Sequence, residues 1–325
     1  MTEANQASRP WRLKFALLGG SILISLVALE VGLRIFYAAS QLQDTAHLGY
    51  SYDAELGWFP RTNSQIQITA SRPITARHNS DGLRGPERTA SDKPVILFLG
   101  DSLVWGFDAE TSERFTEKLQ AGHPEWAIYN FGVSGYGTDQ EYLLLKRYYG
   151  RYRPRLVFLI ICGDNDNDDN AWNFRGGYYK PYFRLEQGYL RLQGTPVPKS
   201  EKNFFAEHKT LSRSFILRAL IHGYYKHKGP RPVKNQDPPT GALLLDMRKY
   251  VVERGGLFAV GLQRSNRELE DFLQKFQIPW VDLTTTNSAH TYREFGNHWT
   301  PEGHSFVAAQ IDEFLQKHRA IIGTN

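Results

Sequence analysis

The stretch that decides the fold is Val95-Ile96-Leu97-Phe98-Leu99-Gly100-Asp101-Ser102-Leu103. Its first residues are apolar and β-branched or aromatic, which is typical of a strand buried on both faces of a parallel sheet. The run ends at Gly100-Asp101-Ser102, so that a serine stands on a tight turn after the strand. Because open α/β sheets place their sites at the carboxyl ends of strands, this serine is the first candidate for a functional residue.

Other short apolar segments downstream have the same character and are bounded by glycine, proline or aspartate. Together with the first, they predict strands at Val95–Leu99, Ala127–Phe131, Leu156–Ile161, Leu257–Leu262 and Trp280–Leu283. Helical patterns fill the intervals, and strands that alternate with helices indicate a parallel sheet covered on both faces. Residues 171–238 break the alternation and are predicted to be an insertion.

Two kinds of signal for the start of a helix occur, and the first, the spacing of a capping box, is found twice, once at Ser265 and Glu268. Thr138 and Glu141 have the spacing of a capping box, in which each side chain accepts a hydrogen bond from the other residue's backbone N–H. Thr300 followed by Pro301 gives an N-cap and a proline at the first helical position. The second signal predicts a final helix that runs to about Arg319.

Composition excludes several classes of protein. The 325 residues are 41% hydrophobic and 22% charged, so the chain can bury a core and is neither wholly disordered, collagen nor coiled coil. Cys162 is the only cysteine, which excludes an intrachain disulfide framework and a cysteine-clustered zinc site. The net charge of +5 admits nucleic acid, a membrane surface or an acidic polymer as partners.

The positive charge is concentrated in one internal segment. Residues 208–236 contain seven Lys or Arg and no acid, with apolar residues at helical spacing. Two interpretations stay open: an amphipathic helix packed on the domain with a solvated basic face, or a helix that contacts anionic lipid headgroups or an acidic glycan.

A hydrophobic segment near the N-terminus predicts a membrane anchor. Residues 15–29 carry no charge, and after Glu30 and Arg34 the apolar pattern continues to Ala39. As a helix, about 24 residues would reach roughly 36 Å, enough to cross a bilayer. Glu30 and Arg34 are spaced to pair near one membrane face. Three basic residues precede the segment, whereas residues 41–60 hold three acids and no Lys or Arg, which predicts a cytoplasmic N-terminus.

The anchor has two alternatives. Small residues at Ala38, Ala39 and Ser40 allow a cleaved signal peptide, although Arg34 in front of them argues against cleavage. The segment also fits a buried helix of a soluble protein. With the anchor, the chain divides into a cytoplasmic N-terminus (1–14), a transmembrane anchor (15–39), a juxtamembrane segment (40–92) and a main domain (93–325).

Loops at the ends of the predicted strands carry the groups that acyl transfer requires: a nucleophile, a base and donors for the oxyanion. They contain Gly100-Asp101-Ser102-Leu103, Asn130-Phe131-Gly132, Gly163-Asp164-Asn165-Asp166 and Asn297-His298-Trp299-Thr300-Pro301-Glu302-Gly303-His304. Ser102 is the candidate nucleophile and His298 the candidate base. The backbone N–H groups of Ser102 and Gly132 and the side-chain amide of Asn165 are the candidate oxyanion hole.

In this order the motifs resemble the SGNH/GDSL hydrolase family over about residues 93–320. The signature residues of the family fall here on Ser102, Gly132, Asn165 and His298. The resemblance implies a three-layer α/β/α sandwich and hydrolysis or transfer of an ester-linked acyl group. Asn79–Arg84 and Lys180–Phe183 look like segments of membrane-anchored bacterial members, which implies a single-pass protein of the bacterial inner membrane with its domain in the periplasm.

The sequence departs from the family at one point. The family usually has an aspartate two or three residues before the histidine, where it orients the imidazole, but Gly296 and Phe295 stand there. Asp282, Glu294 or a backbone carbonyl are the candidates for orienting His298. Loss of this third member weakens a serine–histidine pair without necessarily abolishing it.

These features predict a membrane-anchored serine esterase that removes an acyl group from a carbohydrate or lipid-like substrate. We expect no cofactor, no metal and no nucleic acid; the acidic run from Asp164 does not fit a calcium loop, because Asp169 and Arg175 occupy the required glycine and glutamate positions. An O-acyltransferase of an extracytoplasmic polysaccharide and a catalytically silent glycan-binding module remain alternatives. Acyl length and oligomeric state stay open.

Overall fold

The structure, a computed structural model, describes residues 11–38, 48–87, 92–163, 166–293 and 296–323. It divides into two compact units. The described parts of residues 1–45 and 204–229 form the smaller unit, and those of residues 46–203 and 230–325 form the larger one.

The helices and strands of the described residues are as follows. The helices are α1 (Trp11–Ala38), α2 (Ser102–Trp105), α3 (Phe115–Gly122), α4 (Thr138–Tyr152), α5 (Asp166–Ala171), α6 (Glu201–Glu207), α7 (Phe215–Lys228), α8 (Thr240–Val252), α9 (Arg267–Lys275), α10 (Pro301–Lys317) and α11 (Arg319–Ile322). The strands are β1 (Tyr50–Asp53), β2 (Gly57–Pro60), β3 (Ser64–Thr69), β4 (Pro73–His78), β5 (Val95–Gly100), β6 (Ala127–Gly132), β7 (Leu156–Ile161), β8 (Phe174–Arg175), β9 (Tyr178–Tyr179), β10 (Tyr182–Glu186), β11 (Tyr189–Gln193), β12 (Leu257–Leu262), β13 (Trp280–Asp282), β14 (Thr291–Tyr292) and β15 (His298–Trp299).

A parallel sheet forms the centre of the larger unit. Its strand order is β13-β12-β7-β5-β6, and every neighbouring pair is parallel. The predicted strands are therefore confirmed: β5 and β6 each run one residue further than predicted, and β13 ends one residue earlier. The register places Gly100 beside Gly132, so that the loops after β5 and β6 leave the same edge of the sheet.

Alternate residues of the strands enter two separate cores. Leu97 and Leu99 pack with buried side chains of α4 and α8 on one face, whereas Ile96 and Phe98 pack with those of α3 and α10 on the other. Each fully buried side chain of this kind contributes about 1.5–3 kcal/mol to folding. The sheet is the middle of three layers, which confirms the α/β/α sandwich.

The segments around the sheet add hairpins to the larger unit. Residues 48–87 contain the antiparallel pairs β1–β2 and β3–β4, and Trp58 and Phe59 of β2 are buried in the core that includes Leu97. The segment at 171–238 contains β8–β11, α6 and α7. The predicted domain boundaries stay predictions.

α1 covers most of the predicted anchor and begins at Trp11, four residues before it. By length and composition it can cross a membrane, and the apolar window that qualifies it is not buried. A signal sequence near the N-terminus meets the same criteria.

One predicted helix start is confirmed and two are wrong; Asn266, and not Ser265, is the N-cap of α9. Thr300 caps α10, and its hydroxyl oxygen accepts a hydrogen bond from the Gly303 N–H at 3.1 Å. Thr138 is instead the first residue of α4, and Gly137 is the N-cap. Glu141 thus lies inside the helix, where both of its carboxyl oxygens are buried without a hydrogen-bond partner.

Glu141 belongs to a buried group of acids at the start of α4 and α5. Burial first, and then the neighbouring carboxylates of Asp166 and Asp101, raise the pKa of Glu141 well above its usual range. Burial likewise raises the pKa of Asp166, and it raises that of Asp169 to about 6. The raised pKa values indicate that Glu141 and Asp166 retain their protons at a pH at which solvated carboxyl groups have lost them.

The substitution Glu141→Gln tests this. A carboxyl with a raised pKa keeps its proton in the folded chain after the unfolded chain has released it, so the folded state loses stability as pH rises through that window. Glutamine has no such titration. We expect the variant to unfold at a higher temperature than the parent at about pH 8 and at a similar temperature at about pH 4. Calorimetry at both pH values checks this; a difference that is constant with pH would contradict it.

Candidate active site

Ser102, the predicted nucleophile, stands at the junction of β5 and α2. Asp101 caps this short helix by accepting a hydrogen bond from the Leu103 N–H at 2.9 Å. Ser102 is the first helical residue, so its backbone N–H has no acceptor within the helix. The turn therefore presents both the Ser102 hydroxyl and a backbone donor at the edge of the sheet.

The structure brings the predicted base to this serine. His298 Nε2 lies 2.9 Å from Ser102 Oγ. The two residues before His298, Gly296 and Asn297, both have left-handed backbone, with φ of 79° and 56°, which turns the chain sharply into β15. Phe107 stacks on the imidazole with ring centroids 4.6 Å apart. The ring is thus held in the orientation that proton transfer from Ser102 requires.

The carboxylate beside the imidazole is that of Asp108, which the sequence analysis did not single out. Its Oδ2 lies 3.5 Å from His298 Nδ1, and its side chain is 1% exposed. His298 Nδ1 is buried and makes no contact of full hydrogen-bond geometry. The two groups therefore lie within ion-pair distance. A small movement would bring Nδ1 and Oδ2 into a hydrogen bond, as catalytic contacts commonly tighten when substrate binds.

Asp108 is itself held by a hairpin that is distant in sequence. The Ser71 N–H donates to Oδ1 at 2.9 Å, and the Ser71 hydroxyl donates to Oδ2 at 3.0 Å. Burial by itself raises the pKa of the Asp108 carboxyl, but its interaction with His298 and the hydrogen bonds from Ser71 outweigh burial and hold the pKa below its usual range. Asp108 is then an anion, able to stabilise an imidazolium.

Arg84 fixes the loop that carries Asp108. Its buried guanidinium donates to the carbonyl oxygens of Trp105, Gly106 and Ala109 at 3.0, 2.5 and 2.5 Å. Asp108 has a left-handed backbone, with φ of 64°, an unfavourable conformation that the surrounding contacts must maintain. Arg84 supplies those contacts on both sides of Asp108.

The three predicted oxyanion donors differ in what the structure shows of them. Asn165 lies outside the described residues. The Gly132 N–H, which the prediction assigned to the oxyanion, donates to Asn130 Oδ1 at 3.0 Å. A Cβ on Gly132 would stand 2.2 Å from Trp105 N, so this position needs glycine to let α2 approach β6. The Ser102 N–H is the donor that the described residues provide.

The predicted orienting acids do not occupy the position beside the imidazole. Glu294 lies outside the described residues. Asp282 accepts a hydrogen bond from the Thr284 N–H at 2.8 Å, whereas the carboxylate beside His298 is that of Asp108. Asp108 follows the nucleophile by six residues, so a search confined to the residues before His298 misses it. The sequence signal that could have found Asp108 is an aspartate shortly after the candidate serine. An aspartate at such a position is too common to identify an orienting acid by itself.

Comparison with known proteins finds no matching family model and no matching curated relative. Similar solved structures include a lipolytic protein of the G-D-S-L family from Veillonella parvula, 12% identical, over 69% of this chain and 99% of that one, with a TM-score of 0.40. A family 3 carbohydrate esterase from Clostridium thermocellum is 14% identical over 71% and 100% of the two chains, with a TM-score of 0.40. A psychrotrophic esterase from Pseudoalteromonas is 10% identical over 69% and 100%, with a TM-score of 0.37.

These identities and scores are low, so the fold assignment rests on the chain itself. Its three layers, and the contact of Ser102 with His298 at the strand ends, are the arrangement that the motifs imply. The chain has an SGNH/GDSL hydrolase-like fold.

Asp108→Asn tests the role of the unpredicted acid. Loss of the anion removes stabilisation of the imidazolium and lets the ring adopt the wrong tautomer, so labelling of Ser102 by a fluorophosphonate should slow by about 10²- to 10⁴-fold. Asp282→Asn is the matched control, because asparagine keeps the acceptor for Thr284, and it should label at the parental rate. Equal rates for the two variants would contradict the assignment.

Proposed function

We propose that this chain is a membrane-anchored serine esterase. The observation that carries the proposal is the continuous path from Ser102 through His298 to Asp108 at the carboxyl edge of β5. A serine hydroxyl is a weak nucleophile until a base takes its proton, and a base needs a third group that fixes its orientation. All three groups are present and buried or half-buried.

The reaction follows from this geometry. Ser102 Oγ attacks the ester carbonyl while its proton passes to His298 Nε2, and Asp108 stabilises the imidazolium. The Ser102 N–H donates to the oxyanion, and Asn165 would add its amide as the family resemblance implies. The imidazolium then protonates the leaving alkoxide, which leaves an acyl-enzyme, and water attacks that acyl group with His298 as base.

The proposed substrate is an acylated carbohydrate or a lipid-like ester, as the motif resemblance implies. Release of free acid and transfer to a sugar hydroxyl share the same acyl-enzyme, so the residues named above serve either outcome. An O-acyltransferase would therefore use the same residues, and the products of the assay distinguish it from an esterase.

Fluorophosphonate labelling of the parent and of Ser102→Ala tests whether the site reacts. We expect the parent to label and the variant to lose labelling, because the phosphorus must bond to Ser102 Oγ. His298→Gln should also label far more slowly, although it leaves the serine in place. No labelling of the parent would favour the catalytically silent module, whereas labelling of Ser102→Ala at the parental rate would assign the reaction to another nucleophile and contradict the proposal.

A second assay identifies the acyl group and its acceptor. Acetylated oligosaccharides and esters of longer acids are each incubated with the protein, with and without unacylated oligosaccharide. We expect Ser102-dependent release of free acid. Acylated oligosaccharide as the main product would replace hydrolysis by transfer.

The membrane anchor is part of the proposal and rests on α1. We place the N-terminus in the cytoplasm and the larger unit in the periplasm of a bacterium, following the charge asymmetry around the segment. Mass measurement of the mature membrane-bound protein should give a product that retains α1. A mature product that begins near residue 40 would show a cleaved signal peptide instead.

A further inference from the structure

Helix α7 lies in the smaller unit together with α1. It contains most of the apolar residues of the basic segment, and none of its side chains is buried. A 14-residue helix without buried residues gains little from packing within the chain, and isolated helices of this length are marginal in water. Phe215 contacts Tyr37 of α1, but exposed apolar side chains remain along the helix, and a partner that covers them would stabilise it further.

The charged residues of α1 hold the start of this helix. Glu30 accepts hydrogen bonds from the Ser214 hydroxyl at 3.0 Å and from the backbone N–H groups of Phe215 and Ile216 at 2.9 and 3.0 Å. These are first-turn N–H groups, which lack acceptors inside the helix. A carboxylate there also interacts favourably with the positive end of the helix dipole.

Arg34 completes the junction. Its Nε pairs with Glu30 Oε1 at 3.0 Å, its Nη2 donates to the Arg213 carbonyl oxygen at 2.8 Å, and it lies over the Phe215 ring. A charged side chain in a membrane segment is costly unless it has polar partners. Both charges that interrupt the apolar run of α1 therefore have partners at the start of α7.

The outward face of α7 is apolar and its far end is basic. Leu217, Leu220 and Tyr224, spaced by three and four residues along one face, are 36%, 64% and 59% exposed. Lys226 and Lys228 are exposed at the C-terminal end, and no acid occurs from residue 208 to residue 236. An exposed apolar stripe with cations at one end is the pattern of a helix that lies in a bilayer interface.

The position of Glu30 along α1 sets the depth at which the start of α7 would lie in the bilayer. It precedes Tyr37 by seven residues, or about 10 Å along α1. Phe36 and Tyr37 pack edge to face at the end of the apolar run, where aromatic residues mark the boundary between hydrocarbon and headgroups. The start of α7 would then lie about 10 Å inside this boundary, in the same leaflet.

We propose that α7 is a membrane-interface helix that docks on α1 through Glu30 and contacts the anionic headgroups of the same bilayer. The inference rests on the anchor part of the proposed function. The apolar side chains of α7 enter the interface, and the lysines at its end contact lipid phosphate. The Glu30–Arg34 pair is then a docking element for α7.

The test uses the full chain in a Cys162→Ser background, with a single cysteine introduced by Leu220→Cys and labelled with an environment-sensitive fluorophore. The protein is reconstituted into vesicles of phosphatidylglycerol and phosphatidylcholine that contain nitroxide-labelled lipid as quencher. Ala309→Cys, on the exposed surface of α10, is the matched control position. We expect quenching several-fold stronger at position 220 than at position 309.

Two results separate this inference from the anchor. Failure of the chain to float with the vesicles would refute the anchor itself. Flotation with equal, weak quenching at both positions would leave the anchor intact and overturn the inference. Lys226→Gln and Lys228→Gln should each weaken the binding of α7 to the anionic vesicle surface roughly fivefold. Replacing phosphatidylglycerol by phosphatidylcholine should also weaken it. Unchanged quenching at position 220 would overturn the proposal that α7 contacts anionic headgroups.

Glu30 gives an independent arm. Glu30→Leu removes the acceptor for the Phe215 and Ile216 N–H groups and leaves the Ser214 hydroxyl as the acceptor for the Leu217 N–H. It should lower quenching at position 220, although it makes α1 more apolar and strengthens flotation. Glu30→Gln keeps one carbonyl acceptor and should retain more of the quenching. Circular dichroism confirms that each variant is folded. Equal quenching in the parent and in Glu30→Leu would overturn the docking role of Glu30.

Discussion

The helix that begins at Ser102 can approach the sheet only because Gly132 has no side chain. A methyl group there would lie 2.2 Å from Trp105 N, and the interior of a protein does not yield by that distance without losing contacts elsewhere. The close approach fixes α2 and therefore the loop that leaves it at Gly106. Ser102 at its start and Asp108 beyond its end are placed by the same contact.

The loop after α2 is stabilised by a buried cation without a carboxylate contact of its own among the described ion pairs. The two terminal nitrogens of the Arg84 guanidinium donate to three carbonyl oxygens, and the group lies over the Trp105 ring at 4.3 Å. Burial and the positive charges of Arg84 and Arg114 lower the pKa of His78 to about 4 and that of His304 to about 3. Both imidazoles are therefore neutral at physiological pH, and it is the imidazole of His298 that contacts Ser102.

The sequence analysis was right where local pattern and chain topology decide the outcome. The strands carry their own boundaries in glycine and proline, and the parallel sheet places Ser102 at the carboxyl end of β5. His298, in the separate β14–β15 pair, contacts it there although 196 residues separate the two. The predictions were wrong where a tertiary contact decides where a helix starts or which acid lies beside the histidine. Thr138 fits a cap by composition, but the tight loop at Gly137 moves the helix start and leaves Glu141 in the core. Asp108 depends on a left-handed turn and on Ser71 in a hairpin, and neither can be read from spacing to the histidine.

Glu30 and Arg34 are another case in which a tertiary contact could not be predicted from the sequence. In the sequence they interrupt an apolar run, and their pairing with each other is the only compensation that spacing suggests. In the structure Glu30 instead satisfies the first-turn N–H groups of a helix more than 180 residues later. A carboxylate and unpaired helix N–H groups are each costly in an apolar environment and are stabilised together. The charge that weakens α1 as a membrane segment is thus the group that an adjoining helix requires, so the apolar run and the basic insertion have to be interpreted as one unit.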